Sequence, residues 1–124
     1  MVNIMRDSRG EIKIYDILTK YGLPFEEEYE FPDLVGYCGV PLRFDFAVFD
    51  DDGNLDFLVE YQGRQHYVPV SKFGGAKAVA RQKENDIKKR KYCLKHNINL
   101  VIIPYYNENK LSYEYIMRAA GYDF

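Results

Sequence analysis

Apolar residues near the start of the chain recur at the spacing of an amphipathic helix. They follow the i, i+3, i+4, i+7 pattern and are Ile14, Ile17, Leu18 and Tyr21. Ser8 and Glu11 form the pattern of a capping box ahead of this stripe, so a helix is expected to begin there. Gly22 and Pro24 are expected to end it.

Three segments with alternating polarity follow and predict strands. Residues 25–31 alternate aromatic and acidic side chains, and residues 32–41 are rich in glycine and proline, which indicates a loop. The next segment, residues 42–49, is expected to place four apolar side chains on one face: Leu42, Phe44, Phe46 and Val48. The turn sequence DDDGN at residues 50–54 joins it to residues 55–62, which predicts a hairpin.

The second half of the chain predicts a long helix, a short strand and a final helix. The long helix covers residues 76–96, with Val79, Ile87 and Leu94 as its expected buried stripe. Residues 100–103 are a short apolar strand and residues 111–120 a helix. The element order is αβββαβα, and its αβββαβ core predicts an α/β (α+β) fold with a mixed four-stranded sheet flanked by helices.

Length and composition indicate a single domain over residues 1–124. Hydrophobic residues make up 47% of the chain, which excludes a disordered protein. No run approaches the roughly 20 apolar residues of a membrane span, no signal peptide is evident, and two cysteines are too few for a disulfide framework. We therefore expect a protein of the cytoplasm, without a membrane partner.

The charges are unevenly distributed. Net charge is −2, but residues 1–60 hold 14 acids and 5 bases, whereas residues 72–95 hold 9 bases and 2 acids. The basic stretch suits phosphate and the acidic half suits a metal ion, although a basic stretch is also consistent with a plain solvated helix face.

Two carboxylates on neighbouring predicted strands are the first candidates for chemistry. Asp45 lies within one strand of the hairpin and Glu60 near the end of the other. A carboxylate among apolar neighbours needs a partner, and two of them can converge on a hard cation such as Mg²⁺. The alternative is a solvated sheet face, or ion pairs with Arg43 and Arg64.

The spacing of these acids resembles a nuclease core. Asp45, followed across a hairpin by Glu60-Tyr61-Gln62, is similar to the motif of the PD-(D/E)xK nucleases. From residue 11 to residue 106 the chain resembles the very-short-patch-repair (Vsr) branch of that fold and the related EDxHD homing endonucleases, as found in small phage-type proteins. The other segments and residues that carry this resemblance are residues 41–47 (PLRFDFA), 61–67 (YQGRQHY), 73–75 (FGG) and 103–105 (IPY), with Asp86, Lys89 and Tyr92.

The resemblance implies a set of catalytic positions. The E, D, H and D of the EDxHD signature correspond to Glu11, Asp45, His66 and Asp86. Glu11 also completes the capping box, which explains it without a function. The chain departs from the pattern at Gln62, where the motif has lysine, and at Ile102, where many relatives have an arginine.

These residue types predict roles. Histidine is the residue type whose ordinary pKa lies near neutral pH, so His66 suits a general acid or base. Asp86 is expected to orient it, the alternative being a plain i, i+4 ion pair with Arg90. Gln62 lacks a charge, but its amide can orient a water or a phosphate oxygen. Lys89 and Arg90 are the candidates for the missing positive charge.

The sequence thus predicts a Mg²⁺-dependent endodeoxyribonuclease, with Mn²⁺ as a substitute cofactor and Asp45 and Glu60 as metal ligands. The expected DNA contacts are Arg64, Lys72, Lys83 and Arg90, and candidates for nucleotide contacts are Tyr67, Tyr105 and Tyr106. Specificity would come from loops, a homodimer or a partner protein. The alternatives are an inactive nuclease fold that binds nucleic acid or protein, and an acidic phage inhibitor that mimics DNA.

Overall fold

The computed structural model describes residues 8–64, 67 and 75–123. Its regular elements in chain order are α1 (Arg9–Lys20), β1 (Phe25–Val35), β2 (Pro41–Phe49), β3 (Leu55–Gln62), α2 (Gly75–Lys95), β4 (Asn99–Pro104) and α3 (Tyr113–Ala119). Short 3₁₀ turns cover Tyr37–Gly39 and Tyr105–Lys110. No helix within the described residues is long and apolar enough to span a membrane.

The four strands form one mixed sheet with the order β1-β2-β3-β4. The first three strands are antiparallel neighbours, and β4 pairs parallel to β3 after the crossover through α2. This confirms the predicted four-stranded mixed sheet flanked by helices. It also confirms the hairpin, because β2 and β3 pair antiparallel on either side of the turn at residues 50–54, and β3 has the predicted bounds.

Strand β1 is longer than the sequence predicts. It continues through Pro32 to Val35, where a loop was expected, with a shift in register between Glu30 and Val35. Because β1 lies at an edge of the sheet, the missing N–H of Pro32 does not remove a bond from the interior of the sheet.

Each face of the sheet carries an apolar core. Helices α1 and α3 cover the first face, whose buried residues include Ile14, Leu18, Phe46, Val48, Phe57, Val59, Tyr61, Val101, Ile103, Ile116 and Met117. The second face lies under α2, and its buried residues are Leu34, Leu42, Phe44, Ala47, Leu58 and Cys93.

Strand β2 changes face at Asp45. Leu42 and Phe44 belong to the core under α2, whereas Phe46 and Val48 belong to the opposite core. Side chains two residues apart share a face in a regular strand, so the expectation that all four share one face is wrong. The break places Asp45 where the strand is irregular.

Helix α2 does not bury the stripe that its apolar residues suggest. Ile87 is 50% exposed and Leu94 81% exposed, whereas Val79 and Cys93 are buried. The half-buried Asp86 and Lys89 lie on the inward side with them. The prediction is correct for Val79 and wrong for Ile87 and Leu94, because the part of the sheet under α2 offers polar groups, which a polar helix face can satisfy.

The start of α1 packs on the ring of Tyr61. Ser8 caps the helix by accepting a hydrogen bond from the backbone N–H of Glu11 at 3.2 Å, as the capping-box pattern predicts. At Gly10, an added Cβ would lie 2.1 Å from two carbons of the Tyr61 ring, far inside van der Waals contact. Only glycine lets α1 approach β3 this closely.

We expect Gly10→Ala to lower the free energy of unfolding by about 1–3 kcal/mol, the usual cost of forcing extra atoms into a packed core. Thermal denaturation followed by circular dichroism measures this. Thr19→Ala, at an exposed position of the same helix, is the matched control and should leave the melting temperature nearly unchanged. Equal melting curves for Gly10→Ala and the wild type would contradict the close approach.

Candidate active site

Asp45 and Glu60 are tied to each other's strands by their carboxylates. The backbone N–H of Asp45 donates to Oε1 of Glu60 at 3.1 Å, and the backbone N–H of Tyr61 donates to Oδ2 of Asp45 at 2.7 Å. Regular pairing between β2 and β3 reaches Phe46 and Val59 and is not continued beyond them. The two side chains thus replace the next rung of the ladder and are held close together at the point where the strands diverge.

Lys89 of α2 brings a positive charge to this pair. Its ammonium lies 3.1 Å from Oε2 of Glu60, and the two side chains are only 12% and 6% exposed. The same ammonium lies 5.3 Å from the ring centroid of Phe44, a cation–π distance. Of the two candidates for the charge that Gln62 lacks, it is therefore Lys89 that contacts the acidic pair.

Burial dominates the electrostatics of Glu60. It raises the pKa of Glu60 to about 8, the negative charge of Asp45 adds to the rise, and the ammonium of Lys89 opposes it. Without a further cation, Glu60 is therefore mostly protonated at pH 7. A metal ion bound beside the two carboxylates would favour the ionised form and lower this pKa.

Gln62 is held in a chain of side-chain hydrogen bonds. Its amide nitrogen donates to Oδ2 of Asp86 at 3.3 Å, and its carbonyl oxygen accepts from the hydroxyl of Tyr67 at 2.6 Å. Gln62 is 4% exposed, so these partners satisfy an otherwise costly buried amide. The predicted inward position of Asp86 is confirmed, with Gln62 as its observed partner.

Two successive side-chain contacts join helix α2 to strand β3. Lys89 contacts Glu60, and Asp86, three residues earlier in the helix, contacts Gln62, two residues later in the strand. Because the contacts advance along the strand as they go back along the helix, α2 runs antiparallel to β3 here. This pairing requires the inward face defined by Val79 and Cys93.

Three tyrosines form an aromatic cluster beside Gln62. The ring centroid of Tyr67 lies 5.6 Å from that of Tyr105 and 6.0 Å from that of Tyr106. Tyr106 is 66% exposed and Tyr67 39%. Tyr105 and Tyr106 follow β4 directly, so the cluster lies at the end of the sheet where Glu60 and Gln62 lie.

Glu11 is carried by a different helix from Asp86 and Lys89. It belongs to α1, on the opposite face of the sheet from Glu60 and Gln62, and its negative charge contributes to the raised pKa of Tyr61, after burial and Glu108. The proposed catalytic role of Glu11 stays a prediction.

The predicted DNA contacts are distributed over the surface. Arg64, Lys83 and Arg90 are exposed. Arg43 pairs with Glu30 at 2.7 Å, so its observed ion pair is not the alternative with Asp45 or Glu60 that the sequence left open. His66 and Lys72 lie outside the described residues.

The donor set suits a hard cation that keeps several waters. Within the described residues there is no group of three or more histidine, cysteine, aspartate or glutamate side chains arranged for a metal. Two carboxylates are nonetheless the usual protein contribution to a Mg²⁺ site, where waters and substrate phosphate complete the octahedron. A carboxylate has about four lone-pair sites, so the two bonds of Glu60 leave it able to ligate.

Comparisons with known proteins add one relative. "Uncharacterized protein 094L" of Frog virus 3 (isolate Goorha) is 46% identical over 54 residues, which are 42% of this chain. The aligned part is 35% of the viral protein, so the chain spans about a third of the length of that relative. No family model matches the chain, and no solved structure matches it.

Proposed function

We propose that the protein is a metal-dependent endodeoxyribonuclease with a restriction-endonuclease-like core of the Vsr-like type. The observation that carries this proposal is the reciprocal pair of Asp45 and Glu60, each bonded to the other's strand, with the Lys89 ammonium 3.1 Å from Glu60. Two acids and one cation at a fork between hairpin strands correspond in composition to the acid, acid and lysine of the PD-(D/E)xK motif.

In this proposal Asp45 and Glu60 hold Mg²⁺, or Mn²⁺ in its place. The ion would supply a water of lowered pKa and offset charge on the scissile phosphate. Lys89 holds a fixed positive charge beside Glu60, where a phosphate approaching the carboxylates would otherwise meet repulsion. Lys89 of the helix thus takes the role that the lysine of the motif has at the strand position of Gln62.

Gln62 and its partners act as a positioning group. The amide nitrogen has two protons, and the bond to Asp86 uses one of them, so the other can orient a water or a phosphate oxygen. Tyr67 fixes which way the amide points by donating to its oxygen. His66 remains the proposed general acid or base.

DNA is the proposed substrate because exposed cations follow β3 and lie along α2, the elements that carry Glu60 and Lys89, and because aromatic rings lie beside Gln62. Arg64, Lys83 and Arg90 are exposed and suit phosphates, and the tyrosine cluster suits bases. Sequence preference would need a second copy or a partner protein, since phosphate contacts do not read bases. Such an enzyme would act on DNA in the cytoplasm of a host cell.

The test is conversion of supercoiled plasmid to nicked or linear forms. We expect the wild type to cleave with Mg²⁺ or Mn²⁺ and to stop with EDTA. Asp45→Asn should not cleave, whereas Asp51→Asn, an exposed acid in the turn after β2, should cleave normally. Plasmid binding without cleavage under all metal conditions would overturn the proposal in favour of an inactive nucleic-acid-binding module.

A further inference from the structure

The loop between β1 and β2 holds a tyrosine away from the rest of the protein. The backbone N–H of Gly36 donates to the carbonyl of Val40 at 2.7 Å, and that of Gly39 donates to the carbonyl of Gly36 at 3.2 Å. Cys38 and Gly39 have left-handed φ values of 58° and 73°, which turn the chain sharply. At the tip Tyr37 is 75% exposed and Val40 60% exposed.

This loop lies at the same end of the sheet as the acidic pair. The loop joins the end of β1 to the start of β2. Because β3 is antiparallel to β2, its last residue, Gln62, lies at the same end of the sheet. Gly36 packs closely on α2, since an added Cβ would lie 3.1 Å from Oδ1 of Asn85. Asn85 is next to Asp86, so the loop is fixed beside the contact between Asp86 and Gln62.

Cations accompany the exposed ring. The guanidinium of Arg81 lies 5.9 Å from the ring centroid of Tyr37. Lys77, Lys83 and Lys88 are exposed on the same helix. An aromatic ring next to an arginine, on a helix rich in lysine, matches a nucleotide, whose base stacks and whose phosphate pairs with the cation.

The exposed side chains of this loop indicate the kind of partner that it would bind. Tyr37 and Val40 expose apolar surface on one short loop, and grouped apolar surface can mark an interaction site. Helix α2 carries eight basic and two acidic residues, and this excess of positive charge favours a polyanion as the partner of the loop.

We propose that the β1–β2 loop is a second nucleic-acid contact, in which Tyr37 stacks on an unpaired base and Arg81 holds an adjacent phosphate. It rests on the proposed nuclease function and adds a feature of the substrate: DNA with an unstacked base. The loop and the cluster of Tyr67, Tyr105 and Tyr106 would contact nucleotides from different elements at one end of the sheet.

The test measures binding of fluorescent single-stranded oligonucleotides by anisotropy, in EDTA so that no cleavage occurs. One oligonucleotide is intact and the other contains abasic positions. Tyr37→Ala should weaken binding of the intact strand by roughly 5- to 150-fold, the equivalent of about 1–3 kcal/mol per stacked base. It should barely affect the abasic strand, because no base is present to stack.

Three further variants complete the test. Tyr37→Trp should retain binding, because it keeps a stacking ring. Arg81→Ala should weaken both strands and reduce the salt dependence of log Kd by about one unit of slope. Tyr122→Ala is the matched control, since Tyr122 is 43% exposed and bonds Asp56 at the start of β3, away from the site.

The outcomes separate this proposal from the nuclease proposal. Equal losses on the intact and abasic strands, or no loss with Tyr37→Ala while the wild type nicks plasmid, overturn the stacking role and leave the nuclease proposal standing. A wild type that binds neither strand also overturns the stacking role and points to a protein partner for the loop. Absence of metal-dependent nicking, with the Tyr37 effect intact, overturns the nuclease proposal alone.

Discussion

Glu60→Gln is expected to abolish metal-dependent cleavage and, at pH 8–9, to stabilise the protein without metal. Both effects have the same cause. Glu60 is a buried carboxylate whose negative charge is useful for holding a cation and costly when only Lys89 and backbone groups oppose it. Glutamine keeps the shape and an acceptor oxygen but not the charge.

The pH dependence of stability follows from the raised pKa of Glu60. Its pKa is about 8 in the folded protein against an ordinary value of 4.5, so between these values the folded state binds more protons than the unfolded state. The free energy of unfolding therefore falls as pH rises through this window, by at most about 1.4 kcal/mol per pH unit from this group. Glu60→Gln should remove that decline.

Thermal denaturation from pH 4.5 to pH 9 in EDTA, beside plasmid cleavage with Mg²⁺, measures both effects. Glu30→Gln is the control, because Glu30 is exposed and pairs with Arg43 on the surface; it should change neither result. Added Mg²⁺ should raise the melting temperature of the wild type at pH 8 and not that of Glu60→Gln. A Glu60→Gln protein that cleaves, or that melts below the wild type at pH 9, would contradict this account.

The sheet could be predicted from the sequence because its strands have strong local patterns. The hairpin of β2 and β3 has a clear turn and alternating sides, and β4 is a short apolar segment after a helix. The end of β1 could not be placed, since a proline usually ends a strand and is tolerated here by the edge position of β1. Element type follows from local pattern, whereas the limits depend on neighbours.

The candidate site was predictable in its strand residues and less so in its helix residues. Asp45 and Glu60 stand out because charged groups within apolar strands need partners. The choice between Lys89 and Arg90 depends on the rotation of α2, which the apolar positions Ile87 and Leu94 indicate wrongly. The helix turns its polar side inward because Glu60 and Gln62 need partners there, a requirement that the helix sequence does not contain.

Tyr37 and its contact with Arg81 were not identifiable from sequence, although Arg81 lies in the basic stretch of residues 72–95. Tyr37 is one of 12 tyrosines, and its loop contains no charged or catalytic pattern. Its exposure depends on the left-handed conformations of Cys38 and Gly39, and its contact with Arg81 joins residues that are distant in the chain. A long-range pair of this kind appears only after folding.

Lys89→Met is expected to slow cleavage by roughly 10²–10³, the usual loss when one preorganised electrostatic group is removed from a site. Methionine retains much of the apolar stem that packs near Phe44 but leaves Glu60 without its cation. At pH 9, one unit above the pKa of Glu60 in the wild type, the protein should lose up to about 1.4 kcal/mol of stability, because Glu60 loses its cation and must take up a proton. At pH 5–6 the loss should be small, since Glu60 then carries a proton.

Arg90→Met is the matched control, because Arg90 is the next residue along the helix and is exposed. Its melting temperature should be nearly equal to that of the wild type at both pH values. Cleavage by Lys89→Met at the wild-type rate would show that the ammonium has no part in the reaction.

Moving the charge back to the strand is the sharper experiment. Gln62 and Glu60 share a face of β3, and Asp86, which contacts Gln62, is one helical turn from Lys89. A lysine introduced at position 62 would therefore lie beside the same carboxylates from the strand side. We expect Gln62→Lys to restore at least tenfold of the cleavage lost in Lys89→Met, and Gln62→Met to restore none. Equal rates for these two double variants, both folded by circular dichroism, would show that the helix lysine does not replace the lysine of the motif, because a charge of the same sign next to the same acids would then have no effect.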